Sequence, residues 1–332
     1  MGYSGAVLAR ARARLEERQA AHRREQAALR TKICRLVPRI AELERELSGT
    51  AARLVSVSLR GGPDRAAAVE ALKQENLARQ KEEADLLQAH GWAPEDMAEE
   101  PLCPLCGDTG WRGAKMCDCL AVLCREEQAK ELSSLLDLGG QTFDTFRLDY
   151  YSRTIEPGMT RSPWQNMSFI LDICREYAAG THPKKDLFLN GGPGLGKTFL
   201  SACIAGEASR RGESVVYDSA PTVFARFEAR KFARDWAQAQ AAEEATQRYL
   251  SCDLLILDDL GSEFTAPLVQ AALYELINGR LAAGRRTVIS SNLNLDQVRA
   301  RYGAPIASRL EGSYLSLPFF GEDIRLQKKR GV

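Results

Sequence analysis

The apolar positions of the first 47 residues recur at helical spacing. Every seventh residue is leucine except at His22, and isoleucines and a further leucine fill the offset positions: Leu8, Leu15, His22, Leu29, Leu36 and Leu43, then Ile33, Ile40 and Leu47. This heptad seam predicts a helix over residues 5–47 that packs on another helix. Because proline removes a backbone donor from a helix interior, Pro38 predicts a break near Val37.

A second helix is predicted after the turn signal Gly61-Gly62-Pro63. Asp64 is a suitable N-cap residue, and the pattern runs to about Ala89. We expect the two helices to pair as a hairpin, forming a helical arm over residues 1–95. No run of about 18 apolar residues occurs, so no membrane span is predicted.

The C-terminal half alternates helical patterns with short, continuous apolar runs. Helices are predicted over 120–138, 164–180 and 235–248, and buried strands at 187–189, 252–257 and 286–291. This alternation predicts an α/β fold with a parallel sheet flanked by helices. A short aromatic segment, Gln141–Arg147, lies just upstream of this region.

A glycine-rich loop joins the strand at 187–189 to the following helix. It has the spacing G-x-x-x-x-G-K-T, and we predict that the loop and the first helical turn bind phosphates: Gly191, Gly192, Pro193, Gly194, Leu195, Gly196, Lys197, Thr198 and Phe199. Glycines allow several backbone N–H groups to point at one anion, and the helix N-terminus adds its positive dipole end. Lys197 is predicted to reach the β- and γ-phosphates of ATP, and Thr198 to hold Mg²⁺.

Polar side chains end the other two predicted strands. Asp258 and Asp259 follow the run at 252–257, and Asn292 follows the run at 286–291. We expect Asp258 to hold Mg²⁺, Asp259 to polarise the attacking water, and Asn292 to bond the γ-phosphate. Glu263 lies close by in the chain and could share the role of Asp259.

Four cysteines cluster with the spacing C-x₂-C-x₁₀-C-x-C: Cys103, Cys106, Cys117 and Cys119. Four thiolates suit tetrahedral Zn²⁺, and metal binding explains how a segment poor in large apolar residues folds. Cys124 is an alternative fourth ligand. Free cysteines or a redox switch are the other interpretations.

Composition narrows the setting of the protein. The chain has 332 residues, a net charge of +1 and nine cysteines, and its Arg-rich N-terminal stretch lacks the apolar core of a secretory signal. Reduced thiols and no signal favour the cytoplasm. Arginines at helical spacing with interleaved aromatics, from Arg226 to Arg234, suit either single-stranded DNA or a solvated helix face.

Taken together, these motifs resemble those of the bacterial helicase loaders, the DnaC/DnaI group of AAA+ ATPases. The resemblance rests on four segments: GGPGLGKT, LLILDDLGSE, VISSNL and the IASRL that contains Arg309. It also rests on the Cys-Pro-x-Cys-x-Asp-Thr-Gly stretch upstream of them. It covers about residues 100–330 and implies an AAA+ P-loop core preceded by a zinc-bearing module.

The resemblance also implies roles for two arginines. Arg309 matches the arginine finger that reaches the nucleotide of a neighbouring subunit, and Arg325 matches the sensor that contacts the γ-phosphate in cis. The helical lid of larger AAA+ proteins is expected to be absent or truncated, since the sequence ends soon after Arg325.

The expected organisation is therefore a helicase-binding arm over 1–95, a zinc module and linker over 96–140, and an AAA+ ATPase domain over 141–332. The expected function is ATP-dependent loading of a hexameric DnaB-type helicase onto single-stranded DNA, by copies that assemble into a ring or spiral, taken to be hexameric. The alternative is an IstB-type ATPase helper of a transposase. A third interpretation is a binding module whose ATP site acts only as a structural switch.

Overall fold

A computed structural model describes residues 3–50, 52–55, 65–135 and 140–329. The chain forms two compact units. One comprises Arg12–Leu120, and the other joins Met1–Ala11 to Ala121–Val332. Within the described ranges, every helix is too short or too polar to cross a membrane.

The predicted helix break is confirmed. Helix α1 spans Gly5–Leu36 and helix α2 spans Pro38–Ser48, with Val37 between them. Proline is tolerated at the first position of a helix, because its missing N–H has no intrahelical partner there. Leu36 departs from the predicted seam, because its side chain is 56% exposed.

The predicted hairpin is also present. Helix α3 covers Arg65–Ala89 and packs on α2, with Ile33, Ile40 and Leu87 buried in the shared core. Ion pairs support the pairing at its surface, from Arg39 to Glu82 at 2.8 Å and from Arg79 to Glu46 at 2.7 Å. The predicted cap Asp64 lies outside the described residues.

The cysteine segment of the same unit contains a small antiparallel hairpin. Strands β1 (Trp111–Arg112) and β2 (Lys115–Met116) pair in register, and helix α4 (Asp118–Leu135) follows. Cys103, Cys106 and Cys117 lie around this hairpin outside regular elements, and Cys119 lies in the first turn of α4.

The larger unit contains a five-stranded parallel sheet in the order β4-β5-β6-β3-β7. Its strands are β3 Asp186–Gly191, β4 Val215–Ser219, β5 Leu254–Leu260, β6 Arg286–Ser291 and β7 Leu315–Phe319. The three predicted strands are the three central ones. Because all strands are parallel, their carboxyl ends lie at one edge of the sheet.

Helices cover both faces of this sheet. They are α5 Pro163–Ala179, α6 Lys197–Arg210, α7 Ala220–Lys231, α8 Trp236–Ser251, α9 Pro267–Ala282, α10 Leu295–Tyr302, α11 Ala304–Ser313 and α12 Ile324–Lys329. Successive strand residues enter opposite cores: Leu187 and Leu189 face the cluster with α5 and α6, and Phe188 faces the other. The predicted sheet flanked by helices is confirmed.

The opposite edge of the sheet contains a buried carboxyl that makes stability depend on pH. Asp186 accepts a hydrogen bond from the Thr287 backbone N–H at 2.9 Å, and burial raises its pKa to about 6. An unfolded aspartate has a pKa of about 3.9, so the folded state binds this proton more tightly. The free energy of unfolding therefore falls as pH rises from about 3.9 to about 6, and above pH 6 the loss caused by ionised Asp186 is complete.

We expect Asp186→Asn to stabilise the protein at pH 8, by up to about 2 kcal/mol, and to have little effect near pH 3.5, below the pKa of the unfolded aspartate. Asparagine keeps the acceptor for Thr287 but cannot ionise. Denaturant unfolding at both pH values measures the difference, and Asp172→Asn, a change at an exposed residue of α5, is the control. An effect equal at both pH values would contradict the account.

Candidate ATP-binding site

The glycine loop adopts the backbone that its sequence requires. Gly194 and Gly196 have φ values of 72° and 93°, in the left-handed region that glycine tolerates. A Cβ on Gly194 would lie 1.9 Å from Asp323 Oδ1, and the Ile324 N–H donates to the Gly194 carbonyl at 3.0 Å. The loop ends at Gly196, and α6 begins at the next residue, Lys197.

Lys197 is the centre of the site. Its Nζ donates to the carbonyl oxygens of Gly191 and Gly192, each at 2.7 Å, and to Asn292 Oδ1 at 2.8 Å. Burial lowers the pKa of Lys197, while the charges of Asp259 and Asp258 oppose the shift. A triphosphate at this position would favour the ammonium form further, because it supplies negative charge next to a desolvated cation.

Hydroxyl groups hold Asp258 from three elements. Tyr217 on β4 donates to its Oδ2 at 2.6 Å, and Thr198 on α6 donates to the same oxygen at 3.2 Å. Ser290 on β6 donates to Oδ1. Burial beside this carboxylate raises the pKa of Tyr217, which keeps the phenol protonated as a donor. The carboxylate is thus fixed next to the Thr198 hydroxyl, the pair of ligand types that Mg²⁺ takes in P-loop sites.

Asp259 and Asn292 are joined to this group. Asp259 has a φ of 57°, unusual for a non-glycine residue, and the register between β5 and β6 shifts at this point. Its backbone N–H donates to Ser290 Oγ at 2.9 Å, and Asn292 Nδ2 donates to its Oδ1 at 3.0 Å. Asn292 therefore connects Lys197 with Asp259.

One cavity of about 470 Å³ unites these residues. Its lining includes the loop from Pro193 to Phe199, together with Asp258, Asp259 and Asn292. The predicted loop, carboxylates and amide thus lie around a common space. Sequence reasoning missed a further wall of the cavity, formed by residues upstream of α5: Gln141, Thr145, Phe146, Arg147, Tyr150 and Tyr151.

The aromatic part of that wall is fixed against the loop. Phe146 packs edge-on against Phe199 with ring centroids 5.4 Å apart. Tyr151 donates its hydroxyl to the Leu195 carbonyl at 2.9 Å. The available signal was the aromatic segment upstream of the core, but its spacing alone assigns it no partner.

Arg325 lines the same cavity as Lys197, as its predicted role in cis requires. Its backbone N–H bonds Asp323 Oδ1 at 2.8 Å, which anchors the start of α12. Four cationic side chains line the cavity against two carboxylates: Arg147, Lys197, Arg325 and Lys328, with Asp258 and Asp259. This surplus of positive charge favours a polyanionic ligand.

Two other predicted residues lie outside that lining. Arg309, on α11, donates to Asn278 and to the Tyr274 hydroxyl, the latter at 3.0 Å. Glu263 is buried and accepts hydrogen bonds from the Gly261 N–H at 3.0 Å and from the Tyr302 hydroxyl. Its carboxylate is engaged within the fold and is not among the groups that face the cavity.

The basic segment from Arg226 to Arg234 is not one helix as predicted: α7 ends at Lys231, so Phe232 and Arg234 lie beyond it. Phe227 is buried, and Arg230 pairs with Glu275 at 2.7 Å. Phe232 is 63% exposed, and Arg226 and Arg234 are exposed as well. Part of the pattern is therefore core packing, and the remainder is a cationic surface with one free aromatic ring.

The four clustered cysteines converge in the smaller unit. All four sulfur atoms lie within 4.8 Å of one another, with Cys103–Cys117 at 3.9 Å and Cys106–Cys119 at 3.6 Å. Tetrahedral zinc with Zn–S bonds of about 2.3 Å requires sulfurs about 3.8 Å apart. The donor set and spacing fit that geometry. Among the described residues, the fourth sulfur of the group belongs to Cys119 and not to the alternative ligand, Cys124.

The backbone supports this cluster. The Gly110 N–H donates to Cys106 Sγ at 3.3 Å. Burial opposes ionisation of Cys106, but this hydrogen bond and the neighbouring thiols lower its pKa to about 7. Burial and the neighbouring thiols raise the pKa of Cys103 and Cys119, so Cys106 ionises more readily than these two.

Comparison with known proteins identifies the core. Residues 178–329 match the family model described as IstB-like ATP binding protein. The uncharacterized protein YdaV of Escherichia coli (strain K12) is 26% identical over 121 residues, 36% of this chain and 47% of that protein. The chromosomal replication initiator protein DnaA of Gluconobacter oxydans (strain 621H) is 30% identical over 139 residues, 40% and 28% of the two chains.

Among solved structures, the crystal structure of the DnaC helicase loader aligns with a TM-score of 0.43 and 18% identity, over 55% of this chain and 99% of that one. The chain spans less than half the length of the curated relatives it matches. The matched segment contains the glycine loop, the Asp258–Asp259 pair and Asn292. Residues 178–329 are thus similar to IstB-like ATP binding proteins.

Proposed function

We propose that the chain is an ATPase that loads a replicative DNA helicase onto single-stranded DNA. The observation that carries the ATPase role is the meeting of Lys197, Asp258 and Asn292 around one cavity. The family match to ATP-binding proteins agrees with it. The replication setting draws on the similarity to DnaA, named as a chromosomal replication initiator.

In this proposal each side chain has a defined task. Lys197 and the loop amides hold the β- and γ-phosphates. Asp258 and Thr198 would hold Mg²⁺, and a bound Mg²⁺ would supply positive charge against the phosphates. Asp259 accepts a proton from the attacking water, and Asn292 orients the γ-phosphate. Arg325 contacts the nucleotide in cis.

Assembly completes the site. Arg309 does not line the cavity of its own chain, so we assign it to the nucleotide of a neighbouring copy in a ring or spiral of subunits. An arginine supplied in trans ties hydrolysis to assembly. ATP would then favour the assembled state that binds DNA, and ADP the released state. The exposed cations of α7, with Phe232, are the proposed contact to single-stranded DNA.

The cysteine cluster and the helical arm form the proposed helicase-binding region. We assign a structural zinc ion to Cys103, Cys106, Cys117 and Cys119, since four protein ligands leave no open position for catalysis. The arm presents exposed leucines, including Leu77 at 49% exposure, that an apolar partner surface could cover.

The second candidate is an ATPase helper of a transposase. The observation that favours it is the family model itself, which is named for IstB-like proteins. The cysteine module upstream of the core favours the loader. Both candidates require the same ATP site, so the partner protein decides between them.

Capture experiments test the function. The full tagged chain with ATP is expected to retain a DnaB-type hexameric helicase and not an integrase-type transposase. Leu77→Glu should lower helicase capture about 10-fold by placing a charge in the apolar contact, whereas Phe169→Glu, a similarly exposed residue of α5, should not. Capture of the transposase instead would support the second candidate and contradict the loader.

A further inference from the structure

The turn after β5, residues 259–263, holds Asp259 in a backbone conformation that side chains seldom adopt. The φ angle is 57° at Asp259 and 107° at Gly261. An aspartate can enter the left-handed region, but the conformation is unfavourable and persists only where neighbouring contacts fix it. If the Asp259 backbone relaxed, its carboxylate would leave the position at which it accepts a hydrogen bond from Asn292 Nδ2 at 3.0 Å.

The first half of this turn is fixed from β6. Ser290 Oγ accepts from the Asp259 N–H at 2.9 Å, and Ser291 Oγ donates to the Leu260 carbonyl at 2.5 Å. The turn also closes on itself, since the Ser262 N–H donates to the Asp259 carbonyl at 3.2 Å. The second half of the turn is held by a different group.

That group is the buried carboxylate of Glu263. Its Oε2 accepts from the Gly261 N–H at 3.0 Å, and its Oε1 accepts from the Tyr302 hydroxyl at the end of α10. The Arg301 guanidinium donates to the Glu263 backbone carbonyl. A buried carboxylate is stable only when donors satisfy its oxygens, and here each oxygen has one. Glu263 therefore joins the turn after β5 to α10.

We propose that Glu263 is a positioning residue for ATP hydrolysis. Through the Gly261 N–H it fixes the turn that keeps Asp259 next to Asn292. Its carboxylate lies outside the cavity lining that the structure describes, so it acts on the nucleotide only through Asp259. Lys197 and the glycine loop belong to other elements, and ATP binding should not depend on it. The inference rests on the role of Asp259 in the proposed ATPase and does not depend on helicase loading.

Hydrolysis and ATP affinity of the full chain, measured separately, test this role. Glu263→Met keeps the length of the side chain and removes both acceptors, so kcat should fall about 10-fold, the effect of one hydrogen bond. ATP affinity should stay within about twofold, because no group that binds the phosphates changes. Glu263→Gln retains an acceptor for Gly261 and should restore most of the rate. Glu311→Met is the control, since Glu311 is exposed and pairs with Arg299 of α10.

A double-mutant cycle separates positioning from a general loss of stability. Asp259→Asn removes the carboxylate through which Glu263 acts, so Glu263→Met should cause no further loss of kcat in that background. Radiolabelled ATP makes these low rates measurable. Tyr302→Phe removes one donor only and should give a smaller loss, about threefold, with the same dependence on Asp259. A loss of equal size in both backgrounds, or a loss confined to ATP affinity, would overturn the proposal.

Amide hydrogen exchange at Gly261 tests the same contact in the absence of hydrolysis. Glu263→Met and Tyr302→Phe should both speed exchange, the first about 10-fold, because the Gly261 N–H loses its acceptor or that acceptor loses its support. Glu311→Met should not. Unchanged exchange in Glu263→Met would overturn the proposal even in a protein that hydrolyses ATP. An unmodified protein that binds ATP without hydrolysing it would instead refute the proposed ATPase.

Discussion

Lys197→Ala is expected to lower the affinity for ATP at least ~100-fold while the protein stays folded. The side chain is buried at the mouth of the loop, where its ammonium meets the carbonyls of Gly191 and Gly192 and the amide of Asn292. Charged hydrogen bonds to phosphate contribute about 1.5–3 kcal/mol each, so losing two of them produces a change of this size.

Calorimetric titration with ATP measures this effect. Lys185→Ala is the matched control, because Lys185 is an exposed lysine just before β3, at the opposite end of that strand. Far-UV circular dichroism should be the same for both variants. Unchanged ATP affinity in Lys197→Ala would remove Lys197, and with it the glycine loop, from the nucleotide site.

Cys103→Ser is expected to have the second large effect, on metal content and on the stability of the Arg12–Leu120 unit. A structural zinc site contributes about 10–16 kcal/mol of binding free energy to folding. Serine is a poor replacement for a thiolate ligand, so zinc should fall from about one ion per chain to near zero. The thermal transition of the unit should move to lower temperature and broaden.

Metal analysis of protein purified without chelator, followed by thermal unfolding, provides the measurement. Cys34→Ser is the control within the same unit, since Cys34 lies outside the sulfur cluster and contacts Glu44 at 3.7 Å. An unmodified protein that contains no zinc, or a Cys103→Ser protein that retains it, would favour free or redox-active thiols over a metal site.

The central strands of the sheet could be predicted, and its edges could not. β3, β5 and β6 are buried on both faces, so their apolar runs are continuous and easily recognised. β4 and β7 lie at the two edges, and Pro318 interrupts the pattern of β7. Proline is tolerated on an edge strand. In the sequence alone, however, a proline makes such a segment look irregular.

The site divides in the same way. The loop, the aspartates and Asn292 are set by local sequence, because each follows a recognisable strand. The hydroxyls of Tyr217 and Ser290 come to Asp258 from neighbouring strands, and only strand order brings them there. For Glu263, local sequence was misleading. Its closeness to Asp259 in the chain predicted a place at the cavity, but the fold turns its carboxylate toward Tyr302.

The central claim is that one ATP binds at the carboxyl edge of this sheet. Its most direct measurement is a titration of the full, unmodified chain with ATP, with and without Mg²⁺. The account predicts saturable binding of about one nucleotide per chain, tighter when Mg²⁺ is present. No binding, or binding that survives Lys197→Ala unchanged, would contradict it.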